Sequence, residues 1–265
     1  MENFDFKKKF GQNFITDKNL IEKIVSYGNI SKNDLVIEVG PGMGALTTYL
    51  VDKAKYVLIY EIDKSLESIL NEKLYSYDNY SLIIKDFLNV DVKKEIDKYS
   101  YDKLIFVSNL PYYITTPIIK KFIESSVFLD RMVVMVQEEV ANRFSAKTGS
   151  REYGSLTVYL NAYYDVSKVM RVNRNLFYPK PNVDSAVVLL NKKENINIID
   201  HDYFQKLVRD SFQFKRKNLR NNLKSYDLEK ISNILSKYNL SLNNRAEDIG
   251  VDIFIEIAND LVQSR

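Results

Sequence analysis

Two rhythms of apolar and polar positions alternate along most of the chain. Short continuous apolar runs, rich in β-branched residues, are separated by stretches in which apolar residues return every three or four positions. The first pattern marks strands buried on both faces, and the second marks helices with one buried face. The predicted strands are Leu35–Val39, Tyr56–Tyr60, Ser81–Lys85, Leu104–Ser108 and Met132–Gln137. Between and after them, Ala45–Lys53, Lys64–Leu74, Pro117–Glu124 and a stretch to about Phe144 read as helices. Leu156–Val172 and Val183–Asn191 read as β-rich with no helix between them, an antiparallel hairpin closing one edge. This order predicts an α/β fold: a mostly parallel sheet of seven strands, one antiparallel, with right-handed crossovers.

From about Glu194 the pattern becomes helical throughout, after a polar stretch beginning at Asn191 that lacks periodicity. The expected division is a sheet-containing domain over 1–191 and a small all-helical domain over 192–265.

Composition excludes several chemistries. The 265 residues contain no cysteine and one histidine, His201. A disulfide framework, a thiolate nucleophile and Cys-ligated zinc are ruled out, and no metal site is expected. His201 reads as a polar linker residue. The apolar runs fall short of a membrane span, and the first residues lack the apolar core of a signal peptide, so a cytoplasmic location is expected. Without a heptad pattern, the expected state is a monomer. Glycine and proline are scarce, eight and five residues, and they cluster: Gly40, Gly42 and Gly44, then Pro41, Pro111, Pro117, Pro179 and Pro181.

The glycines lie in Glu38-Val-Gly-Pro-Gly-Met-Gly44, where the first predicted strand runs into a helix. Such a loop lets a ligand approach the backbone at a helix N-terminus. Glu38 would repel a pyrophosphate, and it suits the ammonium and sulfonium of S-adenosylmethionine. Glu61 ends the second strand, where a carboxylate accepts ribose hydroxyls, and Asp86 follows the third, placed to accept from an adenine amine. At the end of the fourth strand stands Asn109-Leu-Pro-Tyr112. An exocyclic adenine amine is a poor nucleophile because its lone pair is delocalised into the ring. The Asn109 side-chain oxygen and the Leu110 carbonyl, accepting its hydrogens, would free that lone pair. Pro111 stiffens the turn and Tyr112 offers a stacking face. Phe177, before Pro179 and Pro181, is either a core ring or one held out by a stiff segment.

These segments resemble a known family. Phe10-Gly-Gln-Asn-Phe14, the glycine loop, Asn109-Leu-Pro-Tyr112 and Phe177-Tyr-Pro-Lys-Pro-Asn-Val-Asp-Ser-Ala186 are similar to the rRNA adenine N6-dimethyltransferases. Phe212-Gln-Phe-Lys-Arg-Lys-Asn-Leu-Arg-Asn-Asn222 resembles the C-terminal signature of the KsgA (RsmA) group. The resemblance implies a Rossmann-like class I methyltransferase domain, S-adenosylmethionine as cofactor, and dimethylation of two adjacent adenosines near the 3′ end of 16S rRNA in the small (30S) subunit. It implies that Asn13 and Ile15 close over the cofactor, whose methionine part meets Gly40. Glu38, Gly42, Gly44, Glu61, Asp86 and Asn109 complete that site, while Tyr112 and Phe177 sandwich the target base. Two alternatives stay open: an Erm-type 23S rRNA enzyme, and a non-catalytic ribosome-assembly factor on the same fold.

Net charge is only +3, yet Arg209, Lys215, Arg216, Lys217, Arg220 and Lys224 stand together against a single acid, Asp210. They form either an ordinary solvated face or an RNA-phosphate face. Lys7–Lys9 is a second, weaker RNA-facing candidate.

Overall fold

The computed structural model describes residues 13–125 and 127–263. The chain divides into two compact units, one running to Ala141 and taking in Ser167–Lys192, the other formed by Asn142–Val166 with the chain from Lys193 on.

The first unit is built on a seven-stranded sheet. In chain order its strands are β2 (Leu35–Val39), β3 (Tyr56–Glu61), β4 (Tyr80–Ile84), β5 (Leu104–Asn109), β6 (Arg131–Gln137), β7 (Tyr164–Val172) and β9 (Ser185–Lys192). Across the sheet they run β4-β3-β2-β5-β6-β9-β7. Strands β2 to β6 run parallel to one another, and β9 is antiparallel to β6, Met135 facing Val187. A two-residue strand β1 (Phe14–Ile15) pairs antiparallel with β8 (Phe177–Tyr178) outside this sheet. Strand side chains alternate between two buried faces, as the unbroken apolar runs require. Val36, Val57, Ile59, Ile105, Val107, Val133 and Met135 share a core with Ile24 and Val25 of α1 (Lys18–Gly28) and Leu50 and Val51 of α2 (Thr47–Lys53). On the opposite face Phe106 meets Phe122 of α5 (Thr115–Glu124) at 4.9 Å, and Tyr60 meets Phe87 edge-on at 5.0 Å. Because β2 has β3 on one side and β5 on the other, the order reverses there, and the chain leaves both strands at the same edge of the sheet. Ligands of open α/β sheets bind at such a reversal.

The expected helices are present as α2, α3 (Glu67–Lys73), α5 and α6 (Glu138–Phe144); α1 and α4 (Val92–Ile96) are additions. One expectation is corrected. The segment from Leu156, read as β-rich, opens as helix α7 (Ser155–Tyr163) and only then becomes β7. Residues 157–160, 162 and 163 are all buried. A helix buried on nearly every side has no polar face, so it lacks the 3.6-residue rhythm and reads like a buried strand.

The same helix bears on the domain division. The expected split at 191/192 leaves 142–166 in the first domain, whereas these residues pack with the second unit. There α7 joins α8 (His201–Ser211), α9 (Leu219–Asn222), α10 (Leu228–Lys237) and α11 (Val251–Gln263). Tyr159 and Tyr163 pack edge-on against Phe204, the Tyr159 hydroxyl donates to the Gln205 carbonyl at 2.7 Å, and that of Tyr153 to Ile249 at 2.9 Å. His201 is the first residue of α8 rather than a linker residue, with Nδ1 3.0 Å from the Tyr163 hydroxyl. No helix of the described residues is long and apolar enough to cross a membrane.

Candidate active site

The strand ends of the first unit open on one cavity. It is lined by Asn13 and Ile15, Glu38, Gly40 and Gly42, Glu61 and Asp86, and the whole Asn109-Leu-Pro-Tyr112 turn. Five separate segments of sequence thus meet, four of them because β4, β3, β2 and β5 lie side by side and the chain leaves each at the same edge.

The glycine loop follows from close approach. Gly40 has φ +71°, and a Cβ there would stand 3.3 Å from Pro111 Cδ, so the glycine lets the two motif turns touch. Gly42 has φ +59°, and a Cβ there would sit 2.6 Å from the Phe14 ring, so it seats β1. Gly44 belongs to a different contact. It does not line the cavity; a Cβ there would meet Leu70 Cδ2 of α3 at 3.1 Å.

The carboxylates differ in how they are held. Glu38 is 1% exposed, and its Oε2 has no hydrogen-bond partner among the described residues. Burial pushes its carboxyl up to about 8; the nearby Thr47 hydroxyl offsets part of the rise and the negative charge of Glu61 adds to it. A buried, orphaned carboxylate facing a cavity calls for a cation. Glu61, 5% exposed, accepts from the Asp63 amide at 2.7 Å. Burial raises its pKa, against the backbone N–H donors of Asp63, Gly42 and Ile62, which lower it. Asp86 Oδ1 accepts from the Leu88 amide at 2.9 Å and Oδ2 from Asn89 at 3.3 Å, which fixes the carboxyl just beyond β4. One acid fit for a cation and two held by donors match the charge pattern of S-adenosylmethionine, a cationic amino acid joined to a nucleoside.

Asn109 Nδ2 donates to the Asn13 carbonyl at 3.2 Å. The amide is thereby oriented, and its Oδ1 remains as an acceptor. Leu110 is 1% exposed and donates its N–H to Met135 O at 3.1 Å. The Pro111 carbonyl accepts from Ile114 N and from Thr115 Oγ1 and so joins the turn to α5. The Tyr112 hydroxyl lies 2.7 Å from Ser185 Oγ of β9, and burial raises its pKa.

Phe177 takes the core position, one of the two that the sequence leaves open. It is 4% exposed and packs in the core with Ile15, opposite which it pairs in the β1–β8 ladder, and it does not line the cavity. A segment stiffened by prolines holds its ring inward as readily as outward. The six cations Arg209, Lys215, Arg216, Lys217, Arg220 and Lys224 are all exposed, in the second unit. Phe10–Gln12 and Lys7–Lys9 lie outside the described residues. Tyr60, Ile62, Lys85, Phe87 and Tyr113 also line the cavity, beyond the residues that the sequence predicts. Each sits within one residue of a predicted site position, and that adjacency is the available signal.

The comparisons with known proteins agree with this arrangement. The family model described as ribosomal RNA adenine dimethylase matches residues 3–263. A Mycoplasma mobile protein named ribosomal RNA small subunit methyltransferase A is 45% identical over 251 residues, covering 94% of this chain and 96% of its own. A protein of the same name from Lactococcus lactis is 41% identical over 267 residues, covering 98% and 91%. Among solved structures, a dimethyladenosine transferase from Plasmodium falciparum aligns with a TM-score of 0.79 at 25% identity, covering 94% of this chain and 98% of that one.

Proposed function

The chain belongs to the ribosomal RNA adenine dimethylase family, and from that premise we propose that it dimethylates the N6 amines of two adjacent adenosines in a 3′-terminal hairpin of 16S rRNA. The reaction would fall late in small-subunit assembly, with the chain acting as a cytoplasmic monomer. The orientation of Asn109 carries the reading. With Nδ2 committed to the Asn13 carbonyl, Oδ1 is the atom left to accept from an amine in a cavity that also holds the orphaned Glu38 carboxylate.

In this reading Glu38 binds the cationic amino-acid end of S-adenosylmethionine, Glu61 takes the ribose and Asp86 the adenine. Gly40 and Gly42 let that ligand lie against the backbone, and Asn13 and Ile15 cover it. The cofactor supplies an electrophilic methyl on a positively charged sulfur, so no strong base is needed. Tyr112 stacks the unpaired adenine, which must leave its helix to enter. Asn109 Oδ1 and the Leu110 carbonyl hold the amine hydrogens and direct the nitrogen lone pair outward. In each of two cycles per adenosine the amine nitrogen would take the methyl as its bond to sulfur breaks, the bonding pair staying on the now neutral sulfur, and the nitrogen would lose one proton to solvent. We assign Phe177, buried as it is, to fixing Ile15 through the β1–β8 pair.

Incubating the full chain with small subunits lacking the modification and a methyl-labelled cofactor tests the proposal. Label is expected in dimethyladenosine of 16S rRNA. Label in 23S rRNA would instead assign the large subunit as substrate, and no label with either would remove the enzymatic reading.

A further inference from the structure

The second unit carries an exposed aromatic ring inside its cationic turn. Phe214 is 50% exposed. It lies in the turn over 212–217 that links α8 to α9, beside Lys215, Arg216 and Lys217. Lys217 Nζ stands over one face of the ring, 5.1 Å from its centroid.

The turn is held in place. Asn222 is 8% exposed, and its Nδ2 donates to the carbonyls of Ser211 at 2.7 Å, Phe214 at 3.3 Å and Lys217 at 3.4 Å. The Lys217 amide also donates to Phe214 O at 2.9 Å. One buried side chain thus fixes the backbone on both sides of the exposed ring. The charges around it are uncompensated. Four other cations of this unit meet carboxylates: Lys206 and Arg209 meet Asp210, Lys237 meets Glu256, and Arg245 meets Glu247. Lys215, Arg216, Lys217, Arg220 and Lys224 have none within ion-pairing distance among the described residues.

We propose that Phe214 is a stacking platform for an unpaired RNA base whose flanking phosphates are held by Lys215, Arg216, Lys217 and Arg220. This rests on reading the basic cluster as an RNA-phosphate face. A pinned ring surrounded by unpaired cations fits single-stranded RNA, because base stacking on an aromatic face and phosphate contacts add and neither requires a particular sequence. Lys217 takes one face of the ring as a cation–π contact, so a guest base would stack on the other. A protein partner recognised through the ring alone would leave the cations without a role.

The test uses the full chain and a single-stranded RNA oligonucleotide carrying 2-aminopurine. Phe214→Ala is expected to raise Kd about ten-fold or more, with an unchanged salt slope and loss of the 2-aminopurine quenching seen with the parent chain. Phe214→Leu should behave like the alanine variant, and Phe214→Trp should restore both readouts. Lys215→Ala/Arg216→Ala/Lys217→Ala should flatten the dependence of log K on log salt. Wild-type binding by Phe214→Leu would overturn stacking. If the triple variant weakens binding and Phe214→Ala does not, stacking fails and the phosphate face stands. If neither does, both fail. Because Phe214 is on the surface, thermal melts of its variants should match the parent.

Discussion

Glu38 is buried where ionising a carboxylate is costly, and the cost has a pH signature. Its folded pKa is raised to about 8 from an ordinary 4.5, so between those values the ligand-free fold holds a proton that the unfolded chain does not. Stability must fall as pH rises through this window, by up to about 1.4 kcal/mol per pH unit, and level off above it. Glu38→Gln removes the term: its unfolding free energy should exceed that of the parent by a margin that grows from pH 5 to pH 8. Parallel curves in denaturant titrations at several pH values would sink this account. Binding a cation beside Glu38 reverses the preference, so cofactor affinity of the parent should improve toward pH 8 with release of a proton, while the Gln variant binds more weakly and without that slope. Calorimetry in buffers of different ionisation heat reads the proton directly. Glu61, Lys85 and Asp86 face the same cavity and remain in both proteins, so the difference isolates Glu38. Asn109 makes a different kind of prediction. Its Oδ1 is proposed to act on the target amine, so Asn109→Ala should lower kcat by about 10²–10³, by analogy with removal of one oriented hydrogen-bonding group elsewhere. Cofactor Kd, measured apart from turnover, should move far less; equal losses in both would reassign Asn109 to cofactor binding alone.

Elements show why the site assembles. The Gly40–Gly44 turn is a packing device as much as a ligand cradle, because its glycines make room for other segments: Pro111 at Gly40, Phe14 at Gly42 and Leu70 at Gly44. Gly42→Ala should therefore do two things. The left-handed φ costs about 1–2 kcal/mol for a side chain, and the Phe14 ring must move, loosening β1 and with it Asn13 and Ile15. Gly149, at φ +82° with nothing within 4 Å of where a methyl would stand, is the control: Gly149→Ala carries the strain without the clash. Melting temperature should drop further for Gly42→Ala than for Gly149→Ala, and only the former should weaken cofactor binding. Equal drops with intact binding would show that Phe14 yields freely. How far these elements can be read from sequence depends on their burial. Parallel strands β2 to β6 announce themselves as unbroken apolar runs, and Glu61 and Asp86 can be placed because each follows such a run. Two-residue strands β1 and β8 have no period to detect, so the contact that buries Phe177 against Ile15 is invisible in the sequence. The flanking prolines mark Phe177 as a special position, but the direction of its ring depends on that unseen pairing.

At the scale of the whole molecule, the two units are not two consecutive stretches of chain. Residues 142–166 leave the first unit, supply α7 to the second, and return through β7, while the rest of the second unit begins at Lys193. A boundary sought from composition lands in the polar stretch after Asn191 and cannot detect this insertion, because α7 is apolar on nearly every side and resembles the strands around it. The consequence is energetic. About seventy residues make a marginal core unaided, and here part of that core comes from elsewhere in sequence: Tyr159 and Tyr163 cover Phe204, and Tyr153 lies 6.1 Å from Phe212. A fragment spanning 193–265 should consequently lose these aromatic contacts and the hydrogen bonds to Gln205 and Ile249. Its thermal unfolding, followed by far-ultraviolet circular dichroism, should be broad and its helicity below that of the same segment in the full chain. Adding a synthetic peptide of residues 142–166 should sharpen the transition and raise helicity in a concentration-dependent way, since anything that binds only the folded form stabilises it by mass action. A cooperative melt of the fragment alone, unchanged by the peptide, would mean that α7 merely rests on a domain complete without it.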